Sequence, residues 1–223
     1  MWIAFAFGSA LFAGLTAILA KCGIKNTDSN VATALRTIIV LIFSWIMVFV
    51  VGAQKGLADI SGKTLLFLIF SGLSTGASWL CYFKALQLGD VNKVTPIDKS
   101  STILTMLLAF ILLREALSPL KVAAMIAIGV GTYLMIQKKE TEEKKQDGKW
   151  LIYAIGSAVF ASLTSILGKV GIQDVNSNLG TAIRTIVVLS MAWDVVFVTG
   201  KQHTVKQIDK SSWLFLVLSG IAT

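Results

Sequence analysis

The side chains that could do chemistry in this sequence are few, and most stand in apolar surroundings. Arg36 and Arg184 each interrupt an uncharged run, TALRTIIVL and TAIRTIVVL. A charge at the centre of a membrane-crossing helix costs about 2.5–3.5 kcal/mol on insertion scales, so it must reach an interface or meet a partner. Either each guanidinium snorkels to the nearer interface, or it faces the inside of a bundle and holds an anionic substrate group or a carboxylate. Asp98 and Lys99 follow Pro96. Thr95 as N-cap, Pro96 as the first helical residue and Asp98 as the third would make a capping arrangement at a helix start; the alternative is a polar pair lining a pathway. Trp45 and Trp193 lie well inside apolar runs, where they pack or line a cavity.

Other chemistries lack their residues. Ser61-Gly62-Lys63-Thr64 ends like a phosphate-binding loop, but five residues separate Gly56 from Gly62 where that motif has four, and no strand precedes it. Cys22 and Cys81 sit in or beside apolar runs without metal-ligand or disulfide spacing, and His203 stands alone in a polar loop. No nucleophile triad, zinc motif or catalytic carboxylate pair is visible. An enzyme is not expected, nor any cofactor or metal.

The elements that must position these residues are membrane helices. Of 223 residues, 55% are hydrophobic and 14% charged, against about 25% charged in soluble domains. Charges cluster between long apolar spans. The spans run from residue 2 to 20, 31 to 51, 65 to 83, 95 to 113 and 117 to 136, lengths that suit about 20 residues per crossing. Backbone groups in hydrocarbon must be satisfied within the segment, which demands helices. The net charge of +8 fits anionic headgroups and topology signals, not nucleic acid. Lys21 and Lys169 end their spans as interfacial anchors, while Trp2, Trp150 and Trp213 suit an aromatic belt. Gly72 and Gly76 form GxxxG, and Ala123, Ala127 and Gly131 continue a small-residue stripe, both permitting close helix packing.

Residues 2–75 recur at 150–223 with a constant offset of 148 and 36 identities in 74 pairs. GSALFAGLTAILAKCGI matches GSAVFASLTSILGKVGI. Arg36 pairs with Arg184 and Trp45 with Trp193, whereas Asp194 falls opposite Ile46, a coupling residue or a tolerated substitution. The sequence therefore divides into a five-helix unit (1–137), a charged linker (138–149) and a second unit (150–223) that stops twelve residues into its third helix. Five is odd, so the second unit enters the membrane from the opposite face. The expected fold is an all-α polytopic transmembrane bundle with inverted five-helix repeats, the second incomplete.

GSALFAGLTAILAKCGI, GASWLCYFKALQLGD and TPIDKSSTILTMLLAFILLREALS together resemble the EamA family of the drug/metabolite transporter superfamily, the last run ending in its acidic residue, here Glu115. The resemblance implies a permease of small metabolites in the cell (plasma or inner) membrane, working by alternating access between inverted halves. Its pathway candidates are Arg36, Arg184, Trp45, Trp193, Asp98, Lys99 and Glu115. The expected partners are the lipid bilayer, a small-molecule substrate and, because the second unit is short, a second copy or a related half-carrier; nucleic acid is not among them. A partner-dependent half-carrier and an exporter like the small multidrug resistance proteins are the alternatives, the latter disfavoured by the absence of an acid in the first span. Lysines concentrate on the face of the linker, which puts that face in the cytoplasm and the N-terminus outside; the resemblance implies the reverse.

Overall fold

The computed structural model describes residues 2–137, 148–172 and 175–223, so nearly all of the charged linker lies outside the described residues. Helices make up the described fold: α1 (Trp2–Gly23), α2 (Ser29–Val50), α3 (Gly62–Leu88), α4 (Val91–Lys99), α5 (Ser101–Leu113), α6 (Pro119–Gln137), α7 (Lys149–Gly171), α8 (Ser177–Val198) and α9 (Lys210–Ile221). Among the described residues seven segments are long and apolar enough to cross a membrane, with α4 and α5 counting as one over residues 91–113. The chain is a multi-pass membrane protein. Helix α9, with 12 residues, is shorter than a span.

Local chemistry sets the ends, and it repeats with the sequence. Asp28 caps α2 by accepting from the Asn30 amide at 2.9 Å, and its equivalent Asn176 caps α8 by accepting from Asn178 at 3.0 Å. Ser61 and Asp209, also 148 residues apart, cap α3 and α9. Gly52 and Gly200 follow α2 and α8 with φ of 67° and 66°, a left-handed stop that favours glycine at both positions.

The fourth span departs from the sequence expectation. It starts at Val91, where Asp90 accepts from the Asn92 amide at 2.9 Å, so Thr95 is not a cap and Pro96 lies inside α4. Proline has no N–H for the carbonyl one turn earlier. One turn beyond it the segment breaks: Ser100 separates α4 from α5, and its hydroxyl donates to the Ile97 carbonyl at 2.6 Å. The pentapeptide IDKSS thus does two jobs. At 208–212 it starts a helix, and at 97–101 it spans the junction of two helices.

The two copies interleave about a pseudo-two-fold axis. Helix α3 packs along α7, and α9 along α1; α2 packs on its own equivalent α8, while α3 also meets α8 as α9 meets α2. Close approaches recur at both sites. A Cβ on Gly72 would lie 2.8 Å from Val187 Cβ, and one on Gly220 would lie 2.8 Å from Ile39 Cβ, both pairs related by the offset of 148. Val48 near the end of α2 clusters with Leu179 and Ala182 near the start of α8, so these equivalent helices run antiparallel. That is the inversion required by five crossings per unit. The first copy alone contributes α4, α5 and α6; α4 and α5 cover one side of α7.

Candidate functional site

Each arginine is anchored across the copy boundary. The Arg36 side chain is buried, with the residue 4% exposed. Its Nε donates to Ser219 Oγ at 3.1 Å, and Nη2 donates to Thr223 Oγ1, both on or just after α9. Arg184 Nη2 donates to Thr75 Oγ1 at 3.2 Å, and Thr75 is the equivalent of Thr223. The serine one turn earlier also repeats its role: Ser71 donates to the Thr164 carbonyl at 3.0 Å and Ser219 to the Thr16 carbonyl at 3.3 Å. These hydroxyl bonds tie each guanidinium to a helix of the opposite copy.

Arg36 faces a cavity of about 560 Å³ lined from both copies. Its Cζ stands 4.7 Å from the ring centroid of Trp79 and 5.2 Å from that of Phe83, close enough for attraction to each ring. Asp98 enters the same cavity from the end of α4. It accepts a 2.5 Å hydrogen bond from Ser157 Oγ of α7 and pairs with Lys99 at 3.1 Å. Ser78 Oγ extends this chain by donating to the Ser157 carbonyl at 3.1 Å. Tyr82 Oη, also at the cavity, lies 3.2 Å from Thr95 Oγ1. The result is an aromatic chamber with a guanidinium on one wall and an Asp–Lys pair on another.

Arg184 lines a neighbouring cavity of about 350 Å³ with Asn178, Thr181 and Thr185. Trp79, Ile221 and Thr223 line both cavities. The structure therefore brings together Arg36, Asp98 and Lys99, and sets Arg184 behind a shared wall. Trp45 and Trp193 stand elsewhere, each against an apolar cluster and within 6.1 Å and 5.7 Å of Phe49 and Phe197. Glu115 lies at the loop between α5 and α6, where it pairs with Lys169 and, at 3.6 Å, with Lys121. The Lys169 ammonium bonded to it holds the Glu115 carboxyl below the usual range for a glutamate. Lys21 donates to the carbonyls of Leu86 and Gly89, closing the end of α3. Lys99 belongs to the cavity wall. Asp194 is exposed on α8. Gly72 and Gly76 meet Val187 and Met191 of α8, whereas Ala127 and Gly131 are exposed on α6 and a Cβ on Gly131 would meet nothing within 4 Å.

Ser78, Trp79, Tyr82 and Phe83 were not singled out by sequence. The available signal was spacing: Ser78 with Tyr82 and Trp79 with Phe83 stand four apart, so one helix face carries polar and aromatic groups together.

Comparison with known proteins decides the family. The profile of the EamA-like transporter family matches residues 1–137. This chain belongs to that family. A Sinorhizobium protein described as "Uncharacterized transporter in cobO 3'region" is 40% identical over 134 residues, which make up 60% of this chain and 95% of the relative. That relative is little longer than one EamA-like unit. Family and relative together identify this chain as a membrane transporter, with α1 to α6 as the unit that matches.

Proposed function

We propose that this EamA-like protein is a secondary carrier that moves a small metabolite across the cell membrane by alternating access. The observation that carries the reading is the cavity of about 560 Å³ between the two antiparallel copies, where Arg36, Asp98 and Lys99 converge on aromatic walls. Inverted repeats with a polar site at their boundary suit rocking of one copy against the other. The break between α4 and α5 supports the same reading, because interrupted helices in membranes belong beside cavities or protein. The test is counterflow into vesicles containing the purified chain and loaded with a pool of bacterial metabolites. Time-dependent exchange of at least one metabolite is expected, and Asp98→Asn should reduce it. Exchange no faster than in empty vesicles for every metabolite would refute the reading.

A second reading, that the chain carries substrate only when joined to another subunit, draws on α1. Ala154, Ser157 and Ala158 of α7 are buried, whereas their equivalents Ala6, Ser9 and Ala10 on α1 are exposed. A second copy lending its α4 and α5 would cover that face as α7 is covered.

A further inference from the structure

Among the described residues neither Arg36 nor Arg184 has a counter-ion. Among the described residues no acidic side chain comes within 4 Å of Arg36 or Arg184; the hydrogen-bond partners given above are neutral hydroxyls. Arg184 Nε is buried and has no hydrogen-bond partner among the described residues. A buried guanidinium with no compensating charge is costly, and the cost falls when an anion arrives. Among the side chains that line the larger cavity Asp98 and Lys99 cancel, leaving Arg36 as one net positive charge. In the smaller, Arg184 is the one ionisable side chain of the lining. Among the described residues each cavity thus presents one cationic side chain that no acidic side chain pairs, and the two arginines are equivalents at the offset of 148.

From this we infer that Arg36 and Arg184 are two separate binding stations for the carboxylate of a small organic monoanion, one in each cavity on either side of the shared Trp79–Thr223 wall. The planar guanidinium suits a carboxylate through paired N–H donors. Trp79 and Phe83 beside Arg36, and Phe43 and Trp79 near Arg184, give an apolar body something to rest on. The inference rests on the carrier reading for its meaning, since two stations in adjoining cavities are steps along one path, but binding itself is measurable without transport.

The experiment is equilibrium dialysis of the purified full chain in phospholipid-free detergent, with benzoate as probe and neutral benzamide as its control. Wild type should bind two benzoates per chain and negligible benzamide. Arg36→Gln and Arg184→Gln should each bind one, and the double variant none. Where a glutamine variant fails to elute as a single folded species, Arg36→Lys and Arg184→Lys replace it; they keep the charge and should keep two sites, the altered one roughly ten-fold weaker for want of the paired donors. Equal binding of benzamide, or unchanged stoichiometry in the double variant, would overturn the inference. So would displacement of both benzoates by added phosphatidylglycerol, which would assign the arginines to lipid headgroups. Vesicle exchange that persists with no benzoate bound at either arginine counts against the two stations alone. Two intact benzoate sites in a chain that exchanges nothing count against the carrier reading alone.

Discussion

Charges inside helices are informative because membranes make them expensive, and that expense made Arg36 and Arg184 legible from sequence. Their company was not legible. Nothing in TALRTIIVL names Ser219 or Thr223 as partners, because the contact crosses 183 to 187 residues and depends on the interleaving of the copies. Asp98 shows the opposite limit. Its place after Pro96 suggested a local cap, and a more remote partner, Ser157 on α7, takes its carboxylate instead. Removing that hydroxyl leaves a buried acceptor short of a charge-assisted bond. Ser157→Ala is therefore expected to destabilise the fold by about 2 kcal/mol in detergent unfolding. Ser165→Ala, about two turns on, removes an exposed hydroxyl bonded to its own helix, and should stay within about 0.5 kcal/mol. Equal effects from the two would show that the Asp98 contact contributes nothing specific. Glu115 gives a pH test. Its folded carboxyl titrates below the ordinary range because of Lys169, so the stabilisation is present above the unfolded value and is lost as pH falls through the folded one. Wild type should lose its stability advantage over Glu115→Gln as pH drops from 6 into the acid range, while the variant stays flatter; parallel melting curves would contradict the pairing.

At the scale of elements, apolar length sufficed to find the spans, since a crossing helix needs little beyond about 20 apolar residues. It did not locate the discontinuity at Ser100. Residues 91–113 are apolar enough as a whole to cross as one span, and the break falls one turn beyond Pro96. Small residues behaved unequally for a similar reason. GxxxG at Gly72 and the stripe ending at Gly131 read alike in sequence, yet which helix face meets a neighbour is a tertiary fact. Gly72 has Val187 Cβ at 2.8 Å and the Arg184 carbonyl at 2.9 Å from where a Cβ would stand, and backbone does not yield as a flexible side chain does. Gly72→Ala is expected to cost about 1–3 kcal/mol by overpacking. Gly131→Ala should be neutral or stabilise by up to about 1 kcal/mol through helix propensity. Thermal denaturation of both variants in one detergent decides the matter, and destabilisation by Gly131→Ala would mean that the stripe packs against something in the folded chain.

At the scale of the whole molecule, the repeat fixes the topology, because equivalent loops must emerge on opposite sides when an odd number of crossings separates them. Lys55 follows the second crossing and its equivalent His203 follows the seventh. Five crossings lie between them. The antiparallel packing of α2 on α8 says the same thing from contacts: Gly56, beyond the end of α2, lies with its Cβ direction 3.6 Å from Leu179 at the start of α8. Inversion does not depend on which face is cytoplasmic. The test uses a background with Cys22 and Cys81 replaced by serine, since Cys22 is exposed and would react by itself. Lys55→Cys and His203→Cys are then introduced singly and treated in sealed vesicles with a membrane-impermeant maleimide, before and after permeabilisation. One cysteine should label from outside in intact vesicles and the other only after permeabilisation. If the chain inserts in both orientations, each should label to complementary fractions that sum to the whole. Labelling of both to completion from the same side would leave an even number of crossings between the loops. The two copies would then be parallel, and neither the interleaved packing nor a carrier built on inverted halves would stand.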